Sequence, residues 1–447
     1  MKNRFRTGIL LTTFVLAFIS ACAGKSAPAV NTVDPLAGNT EPEEGIMEAS
    51  PSNQADKVRQ FATHFRPDGN RILAASGGET ISKNSITLSG KPRWLLVYEQ
   101  DQRLTWAVFT EDGRVETYQL INEALISIQH DFAPLPPGMP PLILSEGVAL
   151  HIPVPQNNAS ILTHASYLPD GRSAYITDDG RMGIIIGDHT IFIDGDFLPD
   201  ARIITDERGR FMALARPTDA YTHGVLGDKL EATSITIVDA ITLTAKEITI
   251  TNGDVIEGLL PIWVDIDADG EREIIVTQSN GQSGARVVVY REDGSVLAES
   301  EPIGKGFRWL HQIAAAQFIP DGNLEIALVQ TPHIGGIIKI HKLDGSRLIT
   351  TAELPGYSTH TIGSRNLDTA FTADINGDGL VELLLPNQEH TSLHAVQLKD
   401  GRLKEIWSSP LGSPYSTNLV GLSTSDGKLT FGIGTQNNEL IVWITEK

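Results

Sequence analysis

The chain has 447 residues, 41 of them Gly and 24 Pro, a formal net charge of −20 and a single cysteine. Such a composition excludes a disulfide-stapled domain, disfavours nucleic acid and other polyanions as partners, and favours cations. Short apolar runs separated by turn residues, with no sustained helical period, point to an all-β chain.

Residues 1–21 read as an export signal. Lys2, Arg4 and Arg6 precede an apolar run, Ile9 to Ile19, that is too short to span a bilayer comfortably. The run ends in Ile19-Ser20-Ala21-Cys22, which resembles the bacterial lipobox. The resemblance implies a lipid anchor on Cys22 and a chain exported to the cell envelope, at the outer membrane or cell surface. Two or more acyl chains would hold it firmly to the membrane. Ala23, not Asp, follows the cysteine, so the inner-membrane retention signal of enteric bacteria is missing. Residues 22–57 are rich in Ala, Pro, Glu, Ser and Asn and read as a flexible tether.

Residues 58–447 read as one repeat domain. An Asp-Gly turn before an apolar strand recurs at Asp269-Gly270, Asp321-Gly322, Asp378-Gly379 and Asp426-Gly427, in steps of 52, 57 and 48 residues. An eroded version, Arg208-Gly209, lies 61 residues before the first. A second hairpin follows each turn, so each unit supplies about four strands. About seven such units fill the domain, which predicts a single β-propeller of four-stranded blades, with six and eight as the neighbouring counts. The last apolar run, Leu440 to Ile444, is expected to pair with an N-terminal strand.

Two turns carry more oxygen than a turn needs. Trp263 to Glu273 places Asp265, Asp267 and Asp269 at loop positions 1, 3 and 5, Gly270 at 6 and Glu273 at 9. Phe371 to Glu382 repeats this with Asp374, Asn376, Asp378, Gly379 and Glu382. Alternating oxygens on a tight loop suit a hard cation such as calcium, and the main-chain carbonyls of Glu271 and Leu380 can add to the set. The carboxylate at position 9 and the strands that follow separate these loops from an EF-hand. Over residues 255–447 the pattern resembles the FG-GAP/VCBS repeats of integrin-α-type propellers. That resemblance implies calcium held structurally and a binding role, with a cell-surface glycan or another envelope protein as partner.

If the acidic turn joins a unit's first two strands, the loop after the second lies on the opposite face. That later loop is polar in unit after unit, and supplies Gln278, His333, Asn387, His390 and Gln436 as candidate ligand contacts. The insertion Asp219 to Leu230 adds His223, and His311 approaches from a neighbouring unit. Amides and imidazoles suit hydrogen bonding to a glycan or peptide. No nucleophile elbow, His-metal motif, P-loop or dinucleotide fingerprint is present, so no catalytic residue is assigned. Two rival readings remain. One is a polysaccharide lyase or hydrolase working through an acid–His pair near His223 and His311. The other is a scaffold resembling the propeller lipoproteins of outer-membrane assembly.

Overall fold

A computed structural model describes residues 58–446, apart from 123, 147 and 148. The export signal, Cys22 and the tether lie outside the described residues. Among those described there is no α-helix, and so no helix long and apolar enough to cross a membrane. The fold is all-β, built from small antiparallel sheets.

One four-stranded meander runs through Pro92–Gln100, Arg103–Thr110, Val115–Ile121 and Ala124–Ile128. Another runs through Ser166–Tyr167, Ser173–Ile176, Arg181–Ile186 and His189–Asp194. Three more, starting at Ile204–Thr205, Ile262–Val264 and Leu310–Ala316, are linked edge to edge into a 13-stranded sheet. A further meander starts at Phe371–Asp374, and the last runs from Val420–Ser423 to Glu439–Glu446. The smallest sheet has three strands, Arg59–Ala62, Leu142–Glu146 and Ala149–His151.

The final strand, Glu439–Glu446, pairs along its length with Thr80–Thr87, from Glu446 against Thr80 to Glu439 against Thr87. This is the N-terminal pairing that the apolar run Leu440 to Ile444 leads one to expect. A branched apolar run bounded by turns has few other ways to satisfy its backbone. Between successive sheets lie dry apolar clusters. Phe371, Leu384, Phe431 and Trp443 fill one, and Leu95, Trp106, Val420 and Val442 fill another. Of the six tryptophans, Trp94, Trp106, Trp263, Trp309 and Trp443 are fully buried in this way.

A feature with no signal in the repeat pattern ties the sheets together. The segment 67–72 runs across the first strands of four successive units. The Pro67 carbonyl accepts from Thr205 N at 2.7 Å, Asp68 O from Trp263 N at 2.9 Å, and Arg71 O from Thr372 N at 2.8 Å. Asn70 exchanges two bonds with the backbone of Ala315, at 2.8 and 3.1 Å. Gly69, with φ +79°, sits where a Cβ would meet Pro261 O at 2.3 Å, so only glycine fits. The fully buried Asp368 carboxylate accepts from both Arg71 and Arg202, themselves 2 % exposed, which pins this segment to two distant loops.

Candidate metal centre and histidine face

The first acidic loop joins Ile262–Val264 to Glu273–Asn280. Its tight course is set by Ala268 and Gly270, both in the left-handed region at φ +59° and +94°. Asp265 accepts from Asp269 N at 3.1 Å and from Gly270 N at 3.0 Å, so its carboxylate folds the loop back on itself. One oxygen each from Asp265, Asp267 and Asp269 lies within 4.8 Å of the others, and this is the only such acidic or histidine group among the described residues. Three carboxylates so close repel unless a cation joins them.

Glu273 stands outside that triad. It is buried under the loop, accepts from Ile266 N at 3.0 Å, and is pushed up to about 7 by desolvation and by the three aspartates. The Glu271 side chain turns away to Arg208, at 2.9 Å.

The second loop repeats the frame with a lower charge. Asp374 accepts from Gly377 N at 2.7 Å, Gly379 N at 3.2 Å and Ser76 Oγ at 3.0 Å. Asn376 donates to Asp378 at 3.2 Å, and Leu380 N donates to the other Asp378 oxygen at 3.0 Å. Glu382 accepts from Ile375 N at 2.6 Å and, like Glu273, is pushed up to about 7 by burial. Gln397 donates to both Asp378 and Glu382, at 2.8 and 2.7 Å. With Asn376 at position 3, this loop does not form a three-carboxylate group.

Several of the other Asp-Gly turns carry their own cation. Asp321 holds Lys342 at 2.6 Å, Asp426 holds Lys428 at 3.1 Å, and Asp112 holds Arg114 at 2.7 Å. In the eroded repeat Asp206 holds Arg210 at 2.7 Å. The described residues supply no such partner to the triad. That contrast is the strongest structural argument for an exchangeable cation at residues 265–269.

The residues expected on the opposite face separate into two groups. Gln278 is buried and engaged, donating to Asp254 at 2.6 Å and accepting from Tyr290. Asn387 caps its own turn by accepting from Thr391 N and Ser392 N, and Gln436 is exposed. His311 is 2 % exposed, stacks on Trp309, bonds Thr359 Oγ1 at 2.8 Å, and is held neutral by burial. None of these makes a shared pocket.

The others do come together, around a residue absent from the sequence expectation. The His333 ring lies 5.9 Å from His223 on one side and 5.9 Å from His360 on the other. His390 is close enough to lower the affinity of His360 for a proton, and bonds Ser358 Oγ at 2.7 Å. His333 and His360 are both pushed down to about 4, chiefly by burial, so these two are uncharged at neutral pH.

Behind His223 stands Glu257, another residue the sequence reading passed over. It is 1 % exposed and meets His223 Nδ1 at 2.6 Å, while Ser279 Oγ donates to its second oxygen. A carboxylate on Nδ1 fixes that nitrogen as the N–H and leaves Nε2 as a proton acceptor. Half-exposed Phe307 stacks on His223 at 5.6 Å, and Tyr221 meets both rings edge-on, at 5.9 Å from His223 and 5.0 Å from Phe307. Glu231, buried near Glu257, is pushed up to about 10 by desolvation and so stays neutral. The available signal for Glu257 was an acid within the apolar run Val255 to Trp263, a place where a carboxylate needs a partner.

No family model matches the chain, and no curated protein matches it. Among solved structures, "Crystal structure of BBS1N in complex with ARL6DN, soaked with mercury" aligns at 9 % identity with a TM-score of 0.43, covering 84 % of this chain and 98 % of that one. "Europium-containing methanol dehydrogenase" aligns at 10 % identity with a TM-score of 0.43, covering 85 % and 96 %.

Proposed function

We propose that the chain is a divalent-cation-stabilised β-propeller of the FG-GAP/VCBS kind, serving as an extracytoplasmic binding module tethered through a lipidated Cys22. The observation that carries this reading is the Asp265–Asp267–Asp269 triad, left without the basic partner that Asp321 and Asp426 own at the corresponding turns. Its oxygen-only ligand set suits a hard ion, and calcium is the natural choice outside the cytoplasm. The strand pairing supports eight units rather than seven: three in the long sheet and one in each of the other five sheets. Glycan or an envelope protein would bind on the face of His223, His333, His360 and half-exposed Phe307, opposite the metal. Calorimetric titration of the metal-stripped chain with calcium tests the metal claim: saturable binding is expected, weakened strongly by Asp267→Ala. A glycan panel probed with the native chain and with His223→Ala tests the face.

The His223–Glu257 pair favours a second reading, an acid–base enzyme acting on polysaccharide. In that case His223→Ala would lower release of new chain ends by about 10²–10⁴-fold, the usual worth of a positioned base. No release by the native chain from a polysaccharide panel would end this reading.

A further inference from the structure

The long sheet joins three units edge to edge, and one of its seams is open. The strand Val296–Ser300 pairs in parallel with Arg347–Pro355 at only two positions, Glu299 with Arg347 and Ser300 with Leu348. Beside that short pairing the two units part around a cleft of about 530 Å³, within the range of about 300–1,000 Å³ typical of small-molecule sites. The cleft shares Ser300, Glu301, Pro302 and Arg347 with a second hollow of about 400 Å³, so the opening is elongated. Neither is lined by a residue of the acidic loops or of the histidine row.

Charge does not select what enters. Each base on these walls already holds an acid: Arg347 meets Glu301 at 2.8 Å, Lys339 meets Glu353 at 2.9 Å, and Arg286 meets Glu299 at 2.8 Å. The Ser300 hydroxyl is also taken, accepting from Val287 N at 3.0 Å. What stays open is neutral. No described residue bonds the Gln330 amide or the Thr350 hydroxyl, and His341, 3 % exposed, has neither ring nitrogen bonded. Burial holds that imidazole uncharged, at about 4, so it offers one N–H and one lone pair. Leaving both without partners is costly, and a ligand group that donates and accepts at once removes the cost. The rest of the wall is apolar, with Pro302, Ile303, Leu310 and Leu348 beside Ile349, which is 40 % exposed.

Hydroxyls both donate and accept, and a sugar ring carries them around its edge while its C–H face stays apolar. We propose that this cleft binds a neutral oligosaccharide, its ring faces against Leu310, Leu348 and Ile349 and its hydroxyls on Gln330, Thr350 and His341. The elongated opening suits two or more linked rings better than one. This site is separate from the face at His223 and does not depend on it.

The test is calorimetric titration of the full chain with four neutral disaccharides: maltose, cellobiose, lactose and N,N′-diacetylchitobiose. Digalacturonate and the glucosamine dimer serve as anionic and cationic counterparts. Saturable single-site binding of a neutral disaccharide is expected, at least tenfold tighter than either charged dimer, which must break a wall ion pair to enter. Thr350→Trp, at an exposed strand position, fills the cleft and should abolish binding without lowering the melting temperature. His341→Phe keeps a ring in the wall and should weaken binding about tenfold. If His341→Phe does not fold, by circular dichroism, Gln330→Leu carries the same expectation. No saturable binding across the neutral panel overturns the proposal, and so does binding that survives Thr350→Trp or is unchanged in His341→Phe and Gln330→Leu. Binding lost in His223→Ala but kept in Thr350→Trp would place the sugar on the histidine face, which also overturns it.

Discussion

The loop at 374–382 and the loop at 317–325 are built on one frame and balance their charge differently. Both end in a buried glutamate that accepts from the backbone of the loop it closes: Glu382 from Ile375 N, Glu325 from Phe318 N. Both carry an aspartate at position 5, Asp378 and Asp321. The residue paired with the closing glutamate across the next strand then differs: Gln397 faces Glu382, whereas Lys342 faces Glu325. Each reaches the position-5 aspartate, Gln397 at 2.8 Å and Lys342 at 2.6 Å. Gln317 has also replaced the carboxylate of position 1 with an amide, and Ile319 has removed the oxygen of position 3. Where the chain supplies its own cation, the extra carboxylates are gone. Where it keeps the carboxylates, it supplies an amide. The two solutions exclude one another because a fixed ammonium and a bound ion would compete for the same oxygen.

The largest predicted effect comes from the most extreme fixed pairing. Asp368→Ala strands Arg71 and Arg202 in the interior, and should cost roughly 3–5 kcal/mol in urea unfolding, calcium present or not. Next in size is the acid response of the uncharged histidines. His164, His333 and His360 are all held at about 4 in the fold against an ordinary 6.5. Protons therefore bind the unfolded chain first. The histidines' share of stability is complete above about pH 6.5 and is lost as pH drops to 4, while buried Glu231, held at about 10, works in the opposite sense. His333→Phe should therefore lose less stability than the native chain between pH 6.5 and pH 4 at saturating calcium, and an identical loss in denaturant midpoint would contradict this.

A smaller effect sharpens the comparison directly. Gln397→Lys installs in the loop at 374–382 the cation that the loop at 317–325 already owns. The variant should melt higher than the native chain without calcium and gain less on calcium addition. An unchanged calcium response would show that this loop holds no ion. The smallest effect is expected from Lys342→Gln, an exposed pair whose loss should barely move the melting temperature. With the carboxylate of position 1 and the oxygen of position 3 already lost, it should not create a calcium response.

What could be read in the sequence was what repeats. Asp265, Asp267 and Asp269 stood out because their spacing converges oxygens on one point, and the chain indeed gathers them. The all-β class and the partner of the last strand followed from turn spacing and apolar runs. Segment 67–72 was invisible because its role is to lend backbone groups to four units far along the chain, and backbone groups leave no mark in side-chain pattern. Gly69 looked like any turn glycine, although the carbonyl of Pro261 is what demands it. His360 and Glu257 were missed for another reason: each becomes notable only through partners distant in sequence. Gln278 and Asn387 were drawn in by polarity alone, and they satisfy local structure.

The most direct test of the account is a thermal melt of the metal-stripped chain, with and without millimolar calcium, beside Asp265→Ala/Asp267→Ala. At a calcium concentration near 100 times the dissociation constant, binding adds about 2.7 kcal/mol, or roughly 3 °C for a domain of this size. A calcium-dependent rise of that order, lost in the double variant, is the predicted result. A melting temperature indifferent to calcium, magnesium and manganese alike would contradict it, and would leave the triad as three carboxylates without an ion.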